Sequence, residues 1–155
     1  MLARLKTFMS RLEAGGAPAA APKDELATTV AVLLARAATL DGAFDAEERA
    51  VVARHLCDRF AVSREEIDRT LEEAVTSADE MVDLYGLIRT VKDRLDEEGR
   101  IELMEALWEV VYADGELHEY EAQLMRRLSG LLYVTDRESG AARKRALSKL
   151  GLDVD

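Results

Sequence analysis

The chain has 155 residues, 48% of them apolar and 5% aromatic, with a single cysteine and a formal charge of −10. That acidity argues against a nucleic-acid partner, which needs clustered Lys and Arg, and the lone Cys57 excludes an internal disulfide. No apolar run approaches the roughly 20 residues that a transmembrane segment requires, and the opening residues lack the pattern of a signal peptide, so the expected location is cytoplasmic.

Apolar content drawn mainly from Ala, Leu and Val favours helices over strands. Met1–Leu12 places Leu2, Leu5, Phe8, Met9 and Leu12 on one helical face, with Arg4, Lys6 and Arg11 off it. This amphipathic helix (residues 1–13) can dock on the domain or a partner copy, or lie on a membrane surface as a peripheral contact. Residues 14–23 are rich in Gly, Pro and Ala and read as a flexible linker. Residues 1–23 carry four cations against Glu13, a net of +3, which leaves −13 for the rest. A tethered helix of this kind is expected to be dispensable for folding and to serve attachment.

The domain proper, residues 24–152, is expected to be all-α. Asp24 caps a helix to about Leu40. Asp41-Gly42 ends it, Gly suiting the left-handed position past a helix end. Asp45-x-x-Glu48 reads as a capping box for a helix over about 46–59. Ser63-x-x-Glu66 caps another, and Ser77-x-x-Glu80 a fourth that carries Met81, Leu84, Leu87, Ile88 and Val91. Asp96 begins the second half, Asp114-Gly115 ends its first helix, and Leu124, Met125 and Leu128 line the next. Asp136 is expected to cap a last helix ending near Leu150-Gly151.

The halves repeat. Asp41-Gly42-Ala43-Phe44-Asp45-Ala46-Glu47-Glu48 returns 73 residues later as Asp114-Gly115-Glu116-Leu117-His118-Glu119-Tyr120-Glu121. At the same offset Phe60 matches Tyr133, Ser63 matches Asp136 and Arg64-Glu65 matches Arg137-Glu138. A duplicated helix–turn–helix follows, about seven helices beside the N-terminal one, with the halves packed around a pseudo-twofold axis.

Gly42, Phe44 and Glu48, and likewise Gly115, Leu117 and Glu121, fit the second half of an EF-hand loop. The first half fails, because Ala37, Thr39, Val110 and Tyr112 stand where ligands are needed. A shared site formed by both turns stays open. Asp41, Asp45, Glu48, Asp114, His118 and Glu121 can surround a divalent cation, Ca, Mg or Mn before Zn. Capping and the helix dipole explain the same acids without a metal. His55 reads as a packing or surface residue. No phosphate-cradling loop, di-iron motif or activated nucleophile is present, so no enzyme is expected.

Ala38-Thr39-Leu40-Asp41-Gly42…Glu48 and Tyr112-Ala113-Asp114-Gly115…Glu121 resemble the two signature turns of the tellurite-resistance protein B (TerB-like) family. Leu131–Glu138 resembles its C-terminal part. The resemblance covers about residues 25–150. It implies a compact all-α, non-enzymatic, bacterial cytoplasmic domain linked with tellurite resistance and stress response, and a related domain occurs in a membrane-bound J-domain co-chaperone. It further implies metal binding through Asp41, Glu48, Asp114 and Glu121, with His118 a departure from an all-acid set. Two functions are expected to compete: a metal-binding stress-response module, and a metal-independent adaptor that recruits a protein partner or touches the membrane.

Overall fold

The computed structural model describes residues 2–18, 21–40, 44–76 and 83–152. Among these residues there are eight α-helices and no strand: α1 (Leu2–Glu13), α2 (Lys23–Leu40), α3 (Ala46–Phe60), α4 (Arg64–Thr76), α5 (Leu84–Arg94), α6 (Glu97–Val111), α7 (Glu119–Leu131) and α8 (Asp136–Lys149). The all-α class and the helix count match the expectation. Helices α2, α3 and α4 correspond to α6, α7 and α8 at the repeat offset. Each unit's third helix packs on its first, α4 on α2 and α8 on α6. Each unit's middle helix also crosses to the other unit's first helix, α3 to α6 and α7 to α2. That exchange is the pseudo-twofold packing the repeat implies.

The core sits around α2 and α6. In α2 every residue from Glu25 to Ala35 is buried. A helix apolar on all sides belongs inside a fold, and α2 touches α1, α3, α4, α5 and α7. Its alanines at 27, 31, 35 and 38 let neighbours approach closely. Its buried hydroxyls are satisfied locally: Thr28 donates to the Asp24 carbonyl at 2.9 Å and Thr29 to the Glu25 carbonyl at 3.0 Å. In α6, Glu105 and Glu109 are buried but paired. Arg145 and Lys149 of α8 each reach Glu105 at 2.5 Å, and Arg59 of α3 donates through Nε to Glu109 at 3.0 Å. Burial pushes the Glu105 carboxyl up, but Lys149 and Arg145 outweigh it and hold it below the ordinary range.

Most caps follow the sequence, but Asp24 is a correction: α2 begins at Lys23, so Asp24 stands inside its first turn and not at the cap. Asp45 and Glu48 form the full capping box on α3. The Ser63 hydroxyl accepts the Glu66 N–H at 3.1 Å, and Asp96 accepts the Gly99 N–H at 2.8 Å. The last helix is a second correction: Thr135, not Asp136, caps α8, in a box with Glu138. The expected cap at Ser77-x-x-Glu80 and Met81 lies outside the described residues, as do Asp41 and Gly42; α5 begins at Leu84.

The N-terminal helix is a third correction. Leu5, Phe8, Met9 and Leu12 are 0–4% exposed, so the apolar face expected to serve attachment is spent on the domain. Helix α1 packs on α2 and α5. Two of its three basic residues are also engaged: Arg4 pairs with Asp24 and Glu66, and Arg11 with Glu25. Arg94 of α5 donates to the Met9 carbonyl at 3.1 Å. A membrane would have to compete with all of these contacts, so peripheral binding through residues 1–12 loses its physical basis. The sequence pattern could not show this, because a helix presents the same apolar stripe to a bilayer and to its own domain.

Candidate functional site

Helix α6 runs out at Val111, and the chain reverses through a turn in which Gly115 adopts φ +89°. The Asp114 carboxylate accepts the Glu116 N–H at 3.0 Å, which fixes its side chain beside the turn. Helix α7 then starts after His118, in the N-cap position, whose side chain makes no cap hydrogen bond. In the first half the same position is Asp45, and Glu48 reaches back to its N–H at 3.1 Å. A histidine in place of Asp45 dissolves that reciprocal box. Glu121, the counterpart of Glu48, is free to turn inward and is 0% exposed.

There it meets His55 of α3, also 0% exposed. His55 Nδ1 lies 2.9 Å from Glu121 Oε2. Its Nε2 lies 3.1 Å from Asp114 Oδ2 but out of line for a hydrogen bond. The same Asp114 oxygen is 3.4 Å from His118 Nε2 and 3.8 Å from an Arg54 guanidinium nitrogen. The two imidazoles stand 5.6 Å apart, centre to centre. Glu121 Oε1 is buried and has no hydrogen-bond partner among the described residues. His55, His118 and Glu121 each offer one ligand atom, all within 4.8 Å of one another. Beside them opens a cavity of about 240 Å³ lined by Glu47, Glu48, Val51, His118, Tyr120 and Glu121.

The electrostatics bind this cluster together. Burial is the largest single influence on His55 and lowers its pKa, yet Glu121 and Asp114 together outweigh it and raise the imidazole above its ordinary value. Burial likewise pushes Asp114 up, but the Glu116 N–H, His55 and His118 bring it down to about 2. A depressed carboxyl contributes stability above its unfolded value and loses it as pH falls through the folded one. The Asp114 contribution is therefore whole above about pH 4 and gone below about pH 2. Carboxyl carbon NMR should place the Asp114 midpoint near 2; a midpoint at the ordinary aspartate value would show that the imidazoles do not hold it.

Of the residues expected to form a shared site, the structure gathers Asp114, His118 and Glu121, with Gly115 making the turn. Asp45 is exposed and Glu48 is tied into the capping box, although Glu48 also lines the cavity. Asp41 and Gly42 lie outside the described residues. His55 is the residue that sequence reading missed. The available signal was its place in α3, a titratable side chain between Val52, Ala53 and Leu56, all buried. Two imidazoles and two carboxylates make a nitrogen-and-oxygen donor set, richer in nitrogen than the turns alone supply.

The family model described as tellurite resistance protein TerB matches residues 27–144, which include both turns and every member of the cluster. No curated protein and no solved structure gives a match.

Proposed function

Because this chain belongs to the TerB family, we propose that it is a non-catalytic binding domain of a stress response, and that its second Asp-Gly turn holds a divalent metal together with His55. The observation that carries this reading is Glu121 Oε1. A buried carboxylate oxygen without a partner is costly in a finished fold. The other oxygen of the same carboxylate lies 2.9 Å from His55 Nδ1, and His118 offers a further ligand atom within 4.8 Å. His55, His118 and Glu121 would hold the ion, and Asp114 would orient the imidazoles and offset charge. Two imidazole donors move the preference from Ca or Mg towards Zn, with Mn next. That revises the ranking drawn from the acidic turns alone. Metal would take the place of the proton on His55, so binding should strengthen as pH rises.

Thermal melts of chelator-treated protein test it. Zn²⁺ at a hundredfold excess over Kd should stabilise the fold by about 2.7 kcal/mol. His118→Ala should abolish that gain, while the metal-free melt falls only by the loss of its long 3.4 Å contact to Asp114, since His118 makes no cap bond. An unchanged melt in millimolar Zn²⁺ and Mn²⁺ would end the metal reading and favour a metal-independent adaptor.

A further inference from the structure

Tyr133 stands in the wrong conformation for its residue type. Its φ is +57°, the left-handed region that strains every side chain and favours glycine. Helix α7 ends in a Schellman motif that demands this geometry. The Val134 N–H donates to the Ser129 carbonyl at 2.9 Å, and the Tyr133 N–H to the Gly130 carbonyl at 3.3 Å. In the first half Ala61 takes the left-handed position, leaving Phe60 buried. In the second half Leu132 fills the core, and Tyr133, the sequence match of Phe60, is 67% exposed. The fold gains little from this ring where it stands.

What Tyr133 does face is the exposed side of α5. The Lys92 ammonium lies 3.7 Å from its ring centre. Arg89 and Tyr85 share a helical face with Lys92, at spacings of three and seven residues. Tyr85 is 53% exposed. Eight of the sixteen arginines meet a carboxylate among the described residues, Arg36, Arg59 and Arg145 among them. Arg89 and Lys92 have no carboxylate partner among the described residues. Two exposed tyrosines, one of them under the Lys92 ammonium, and two cations without a carboxylate partner among the described residues thus form a basic aromatic patch on a protein of charge −10.

We propose that this patch docks an acidic segment of a partner protein. Arg89 and Lys92 would pair with its Asp and Glu side chains, and the two tyrosines would supply rigid contact area. Tyr and Arg are the residues that concentrate binding energy at interfaces. The charge balance selects this occupant over a membrane or a nucleic acid. A bilayer or duplex is a large anionic surface that repels the whole chain, and two cations give it only about 1 kcal/mol each. A short acidic segment touches the patch alone.

The test is selection of a random dodecapeptide phage library on the full chain, followed by fluorescence anisotropy with the selected peptides. The peptides should carry net negative charge. Their Kd should weaken at least tenfold in Tyr133→Gly and in the Arg89→Glu, Lys92→Glu double variant, and should not move in His118→Ala. Tyr133→Gly should melt no lower than the parent, because Gly relieves the left-handed strain, so lost binding cannot be lost folding. Peptides without acidic bias, peptides that bind Tyr133→Gly as tightly as the parent, or a selection without enrichment would overturn the proposal. So would binding to phosphatidylglycerol vesicles that the same variants abolish, which would identify a membrane site instead.

Discussion

Deleting residues 1–18 is expected to unfold or nearly unfold this protein. The deletion strips Leu5, Phe8, Met9 and Leu12 from the core and uncovers the apolar surface of α2 and α5 beneath them. Full burial of such a side chain is worth about 1.5–3 kcal/mol, and extended-chain references make sums of this kind upper bounds. Even so, the loss is comparable with the roughly 5–15 kcal/mol that holds a domain folded. The gentler variant Phe8→Ala should cost about 3–5 kcal/mol by itself. Urea unfolding of parent, truncated chain and Phe8→Ala measures both. A truncated chain with the parent's midpoint would show that α1 is an appendage after all.

Glu121→Ala is expected to cost about 3–5 kcal/mol, the usual loss when one partner of a buried ion pair is removed. The size should depend on pH, and the sign follows from His55. A histidine whose folded pKa is raised contributes stability that is complete below its unfolded value of about 6.5 and is lost as pH rises through the folded value. The variant should therefore be weakest relative to the parent near pH 6, and the gap should narrow in mildly alkaline buffer. Replacing both partners, His55→Leu with Glu121→Leu, removes the buried charges together and should be near neutral or stabilising. A Glu121→Ala variant within about 1 kcal/mol of the parent at pH 6 would mean that the pair contributes nothing to the fold.

Much of this architecture is legible in the residues because local physics decides it. The Asp45 and Glu48 box, the Ser63 and Asp96 caps and the Gly115 turn each depend on atoms a few positions apart. The repeat extends that local information to the packing of two units. Thr135 was missed because two adjacent residues can both cap; the cap falls two residues after the left-handed Tyr133, as Ser63 does after Ala61. His55 was missed for a different reason. Its partners are 59 and 66 residues away in sequence, and a polar side chain on an apolar helix face does not announce what it meets. The placement of α1 was hidden because amphipathicity shows that a helix will bury a face, and does not show against what.

The cluster joins the two repeats. His55 comes from α3 in the first unit; Asp114, His118 and Glu121 come from the turn and helix of the second. Neither half can assemble it alone. A ligand held there is linked by mass action to the docking of one unit on the other, and suppresses every excursion in which they part. In a duplicated fold, where each half has its own capped helices and could open separately, such a ligand would make the two halves a single cooperative unit.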